Sequence, residues 1–226
     1  MKGLLIKDLR LLINQKRLFI MAICIAVVLT WTSEDVTFAA TYIILLLSML
    51  TLTTLSYDLM NGGMLFLLSL PVDRKLYTKE KYVFAFLNLL ASAVVSLATC
   101  VALNFIKGSE TAFSDLLAVI LGITVGMALM LSVTIPFELK YGPEKGRVAM
   151  IVAVVVIAAG GAGIYKLVTD VLHVDVNGIL TNLLAHLPQP GAGLEILIIG
   201  GLLAAIVIML FVSYVVSLGI MKKKEF

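Results

Sequence analysis

Cysteine, histidine, tryptophan and charged residues are all scarce in this chain of 226 residues. Its two cysteines, Cys24 and Cys100, stand far apart in apolar runs with no C-x-x-C spacing, so neither a disulfide framework nor a thiolate metal site is supported. Both read as small packing residues. The two histidines, His173 and His186, fall between long apolar runs, and no H-E-x-x-H motif accompanies them or Asp175. No metal is therefore expected. A G-x-S-x-G nucleophile motif is also missing, as is the G-x-x-x-x-G-K-[ST] loop that cradles nucleotide phosphates. The chain is not expected to be an enzyme. Charged residues make up only 14% of the sequence, against about 25% in soluble proteins. The net charge is +3, and no nucleic-acid partner is expected.

What fills the space is hydrocarbon. Apolar residues account for 61% of positions, against about 45–50% in soluble chains. Such a balance belongs to an integral membrane protein, which must be helical or a closed barrel to satisfy its backbone in lipid. Long apolar runs without period-2 alternation exclude the barrel. The expected fold is all-α, with six membrane spans at about 18–32, 36–56, 82–106, 115–137, 148–168 and 194–221. One transmembrane domain is expected over residues 1–226. No cleavable signal peptide is expected, because the first apolar run follows 17 amphipathic residues and lacks a small-residue cleavage site.

Residues 2–17 suit an amphipathic helix lying in the membrane interface. Leu5, Ile6, Leu9, Leu12 and Ile13 cluster on one side, and Lys7, Arg10, Asn14 and Arg17 on another. The alternative is a charged flank of the first span. The second span carries Thr41, Ser48, Thr51 and Thr54 near one helical face, with Asp58 at its end. Such a stripe should avoid lipid, either by lining a substrate path or by joining helices. No Asp, Glu, Lys, Arg or His falls near the centre of a span, which argues against coupling to a proton or sodium gradient. Glu138 and Glu195 sit at helix ends, where water is expected to reach them. Pro136 is expected to end or kink the fourth span, followed by a compact charged turn over 138–147.

The segment 57–81 breaks this pattern. Inside it, residues 64–70 are apolar but far short of the ~20 residues needed to cross a bilayer. They predict a short surface helix stopped by Pro71, with Asp73, Arg74 and Lys75 opening the next helix. Apolar side chains presented there suit docking to another protein. Fifteen of the 17 Lys and Arg residues lie in 1–17, 57–81, 138–147 and 222–224, leaving Lys107 and Lys166. That bias predicts both termini and the 57–81 segment on the cytoplasmic side.

Three stretches in register carry a resemblance. Residues 1–9 read Met-Lys-Gly-Leu-Leu-Ile-Lys-Asp-Leu, and residues 66–75 read Phe-Leu-Leu-Ser-Leu-Pro-Val-Asp-Arg-Lys, with Glu80-Lys-Tyr82 just beyond. The third is Pro136-Phe with Lys140-Tyr-Gly-Pro-Glu-Lys-Gly-Arg147. Together they resemble the permease subunits of type-2 ABC exporters, in the small six-span group of Gram-positive bacteria. The resemblance implies an elbow helix over 2–16, with Lys7, Asp8 and Arg10. It also implies a coupling helix within 58–70, so that Asp58, Met60, Met64, Phe66, Leu67, Leu70, Asp73 and Arg74 meet the ATPase. Implied partners are the lipid bilayer, two separately encoded ABC ATPase subunits that hold ATP and magnesium, and a second permease chain, identical or not. Implied cargo is hydrophobic or amphipathic peptide, such as antimicrobial or phenol-soluble-modulin-like cytolytic peptides, exported across the bacterial plasma membrane for secretion or self-immunity. The alternatives are export of multidrug or lipid-type substrates, the substrate-capture module of a vitamin importer, or a membrane enzyme.

Overall fold

The computed structural model describes residues 2–14, 37–60, 63–69, 73–107, 113–146 and 192–223, with scattered helical positions within 17–28 and 148–160. The described elements are α1 (Lys2–Asn14), α2 (Thr37–Leu59), α3 (Gly63–Ser69), α4 (Arg74–Lys107), α5 (Phe113–Tyr141) and α6 (Ala192–Lys223). Among the described residues there is no strand. Four stretches are long and apolar enough to cross a bilayer: Thr37–Leu59, Arg74–Ile106, Leu116–Tyr141 and Ile199–Lys223. The protein is thus a multi-pass helical membrane protein. The expected first and fifth spans fall where only scattered positions, or none, are described. The 169–191 segment, with His173 and His186, and Leu70 lie outside the described residues.

α4 and α5 pack against each other, and each also touches α2 and α6, so these two helices form the short diagonal of the bundle. α1 rests on α2 and α4, while α3 lies against α2. Cross-helix bonds fix the chain direction. Ser56 near the end of α2 bonds Glu138 near the end of α5. Arg74 at the start of α4 reaches the carbonyl of Met221 at the end of α6. One end of the bundle therefore collects the C-terminal ends of α2, α5 and α6, the start of α4, and both short helices. We call it the basic end. α4 has 34 residues, or about 51 Å at 1.5 Å per residue, well beyond the ~30 Å hydrocarbon core. Its charged first two turns are thus one rigid body with the apolar span that follows.

Polar side chains inside the bundle bridge helices. The Asn88 amide of α4 donates to the Leu47 carbonyl at 2.7 Å and to the Thr51 hydroxyl at 2.9 Å, both on α2. One turn further along α4, Ser92 lies 3.4 Å from Ser48, and Ser96 donates to the Ala40 carbonyl at 3.3 Å. The small side chains Ala39, Ala40 and Ala85 are fully buried and let the helices approach.

Pro136 does not end its helix: α5 continues to Tyr141. Proline lacks the N–H that would bond the carbonyl four residues earlier, that of Ser132. This orphan carbonyl accepts a hydrogen bond from the Ser213 hydroxyl of α6, which is itself held by Tyr82 of α4 at 2.6 Å. A neighbouring helix thus supplies what the proline removes, as lipid cannot. α5 stops instead at Gly142, whose φ of 87° is the left-handed conformation that glycine adopts freely, with its N–H bonded to the Glu138 carbonyl at 2.9 Å. Pro143 then opens the next helical turn.

This arrangement makes Ser213 necessary because of Pro136. Ser213→Ala should destabilise the protein by about 1 kcal/mol, measured by unfolding in detergent micelles. In a Pro136→Ala background, where the backbone supplies its own donor, the same change should cost clearly less. Equal costs in both backgrounds would remove the link.

Candidate functional site

Two buried carboxylates and two ammonium groups meet at the basic end. Asp8 comes from the second turn of α1, Asp58 from the last turn of α2, and Lys81 from the second turn of α4. Lys81 binds both acids, 2.7 Å from Asp58 Oδ2 and directly hydrogen-bonded to Asp8 Oδ2. Lys7 binds both from the other side, 3.2 Å from Asp8 Oδ1 and hydrogen-bonded to Asp58 Oδ1. The Tyr77 hydroxyl donates to Asp58 Oδ2 at 3.2 Å, and its ring lies 5.5 Å from the Lys81 ammonium. The side chains of Asp8 and Lys81 are essentially inaccessible at 0% and 2%, whereas Lys7 keeps 31% of its surface. Charges so far from water persist only because each meets its opposite at hydrogen-bonding distance.

Asp58 also closes a helix whose C-terminal carbonyls are negative, an unfavourable place for a carboxylate without cations. The two lysines answer this. Glu80, fully buried beside the cluster, adds a third carboxyl group, and neither of its oxygens is hydrogen-bonded among the described residues. No group of three His, Cys, Asp or Glu among the described residues is placed to hold a metal ion.

The backbone of Asp58 ties the cluster to α3. A Cβ at Gly63 would stand 2.9 Å from the Asp58 carbonyl oxygen and 3.3 Å from that of Tyr57. Only glycine permits so close an approach. Met64 and Leu67 then plug α3 into the core at 3% and 8% exposure, while Leu65 and Phe66 point outward at 57% and 68%. The short helix is fastened by one face and presents the other.

The residues singled out from sequence divide accordingly. Asp58, Met64 and Leu67 are buried, Met60, Phe66 and Asp73 are exposed, and Leu70 is outside the described residues. Asp73 precedes α4 and accepts the Tyr77 N–H through its carbonyl at 3.0 Å. Lys7 and Asp8 join the ionic cluster, but Arg10 stays on the surface. In the hydroxyl stripe, Thr41 is exposed and bonds its own helix at Thr37. Ser48, Thr51 and Thr54 are buried, the first two against α4.

One expectation needs correction. Glu138 was expected to be reached by water, yet it is 3% exposed and accepts a hydrogen bond from Ser56. The turn around Gly146 covers it, with a Cβ there falling 2.9 Å from Glu138 Cγ. On α1, Ile6, Leu9 and Ile13 of the apolar arc are exposed, and the residues turned into the protein are Leu4 and Asp8. An acid thus occupies the buried side of α1. Sequence reasoning missed Tyr77, Glu80 and Lys81. A usable signal was present: Tyr77, Lys81 and Asn88 follow one helical stripe of α4, and a lysine on a buried stripe requires an acid.

A family model described as "ABC-2 family transporter protein" matches residues 3–222. That is nearly the whole chain. The protein belongs to the ABC-2 transporter family. No curated protein and no solved structure gives a match. As an ABC-2 permease, it is a membrane subunit of an ABC transporter, is not itself catalytic, and partners with an ABC ATPase. The ionic cluster and α3 therefore belong to the membrane subunit of a transporter that works with an ABC ATPase.

Removing one charge from the permease cluster should cost more than removing a pair. Lys81→Met leaves two acids sharing the half-exposed Lys7 and should destabilise the folded chain by roughly 3–5 kcal/mol. Adding Asp8→Leu should recover much of that loss. Denaturation in micelles reads both, and a double variant as unstable as the sum of its single changes would contradict the pairing.

Proposed function

We propose that this permease couples to its ATPase through α3 and exports hydrophobic or amphipathic substrates, peptides among them. The observation that carries the coupling role is the two-faced short helix. Leu65 and Phe66 are turned outward at the basic end, while Met64, Leu67 and the Gly63–Asp58 contact hold the helix to the bundle. An exposed pair of large apolar side chains on a rigid mount suits insertion into a cleft of a partner protein. The excess of Lys and Arg at this end supports placing it, with both termini, in the cytoplasm. Two permease chains over two ATPase subunits complete the transporter, with ATP and magnesium bound by the ATPase.

Force applied at Leu65 and Phe66 passes through the Asp58 backbone to α2. From there it passes through the Asp58 carboxylate to Lys81 and the long α4. α1 moves with them through Asp8. The response is rigid-body tilting of helices rather than bending of one. The resemblance to peptide exporters and the absence of ionisable side chains near the middle of the predicted spans support a greasy conduit for amphipathic cargo.

Phe66→Asp should leave membrane insertion and thermal stability close to wild type, abolish co-purification of the ATPase, and stop ATP-dependent movement of a labelled amphipathic peptide in proteoliposomes. Leu67→Asp, by contrast, should destabilise the chain itself, because that side chain is 8% exposed. ATPase association and transport that survive Phe66→Asp would refute the docking role. Transport of a multidrug or lipid substrate but not the peptide would refute the cargo.

A further inference from the structure

An open groove of about 390 Å³ runs between α5 and α6 at the basic end, lined by Lys140, Val216, Gly219, Ile220 and Lys223. Lys140 stands in the last turn of α5, with its ammonium 4.9 Å from the Tyr141 ring, and Lys223 closes α6. Neither is paired with a carboxylate among the described residues. Between them the floor is apolar, and a Cβ added at Gly219 would meet nothing within 4 Å. The missing side chain leaves an opening rather than a close contact.

The groove continues into a ladder on α6. Ile208, Val212 and Val216 are exposed at 61%, 58% and 52%, and Ile220 extends the same four-residue spacing into the groove. From Ile208 to Ile220 the helix rises about 18 Å, comparable with the ~15 Å depth of one leaflet's hydrocarbon. Two cations with no carboxylate partner among the described residues therefore sit at the mouth of an apolar track one leaflet long.

We propose that this groove is a binding site for an anionic phospholipid. The phosphate lies between the ammonium groups of Lys140 and Lys223, the glycerol region fits over Gly219, and an acyl chain follows Ile220, Val216, Val212 and Ile208. Charge complementarity selects the headgroup. The length of the ladder selects a lipid over a free anion, which would have no use for it. The assignment stands apart from the coupling and cargo readings, since it concerns neither α3 nor a transport path.

Native mass spectrometry of the full chain released from micelles tests it, using phosphatidylglycerol and phosphatidylcholine with identical acyl chains, and glycerol 3-phosphate as competitor. Phosphatidylglycerol should be retained on the order of tenfold or more over phosphatidylcholine. Lys140→Gln/Lys223→Gln should erase that preference. Lys75→Gln/Lys145→Gln, which removes two exposed lysines outside the groove, should keep it. Gly219→Leu keeps both ammonium groups and fills the opening, so it should weaken retention on its own. It decides the matter if the double lysine variant does not fold. Equal retention of the two lipids, equal loss in both lysine pairs, or unchanged retention by Gly219→Leu would overturn the site. Displacement by equimolar glycerol 3-phosphate would make it a site for soluble anions instead.

Discussion

A charge taken out of water costs several kcal/mol unless an opposite charge meets it at close range. Most of the geometry at the basic end follows from that constraint. Lys81 is almost wholly enclosed, so Asp8 and Asp58 must both be within reach. This single requirement fixes α1 against α2 and α4. Because Lys7 completes the square from the more open side, the set of four is neutral. It can remain in a low-dielectric setting that would expel any member alone. Hydrophobic packing could hold three helices together as firmly. Hydrogen-bonded ion pairs add a directional requirement on helix register that apolar contacts alone do not impose.

The same logic operates at lower stakes along the bundle. Asn88 meets the Leu47 carbonyl and the Thr51 hydroxyl, and the carbonyl freed by Pro136 meets Ser213. Each is a polar group that lipid cannot satisfy, so each calls for a partner on a neighbouring helix. The bonds run from α4 to α2, from α4 to α6 and from α6 to α5. Among the described helices, polar contacts thus bind each of α2, α4, α5 and α6 to a neighbour. α3 is tied into that frame twice, by the glycine contact and by two apolar plugs.

Much of this was readable before any coordinates. The apolar runs that became α2, α4, α5 and α6 are visible from length and polarity, because a helix in lipid needs a stretch of that length and nothing more elaborate. The short helix was visible as a run too brief to span, closed by Pro71. Of the stripe of hydroxyls on α2, Ser48, Thr51 and Thr54 turn away from the surface as expected, while Thr41 does not. The partners of the stripe were not visible: Ser48 and Thr51 need Ser92 and Asn88, which lie about forty positions away in the chain. Pro136 was recognised as a helix problem. Its solution sits on a helix that begins more than fifty residues later, so no local pattern could show that α5 would survive it.

What the amino-acid sequence settled alone is the set of properties that depend on one residue and its near neighbours: solvent class, the positions of the long apolar runs, the polarity of loops, and the family match along the chain. What only the tertiary structure decided is which side of each element turns inward. Asp8 faces the protein while Ile6 and Leu9 face away, Leu67 is core while Phe66 is surface, and Glu138 is enclosed rather than wetted. The reason is physical. In water, burial follows hydrophobicity and can be read from periodicity. Beside a membrane, both faces of a helix can be apolar, so orientation is set by the polar groups that must find one another across the fold.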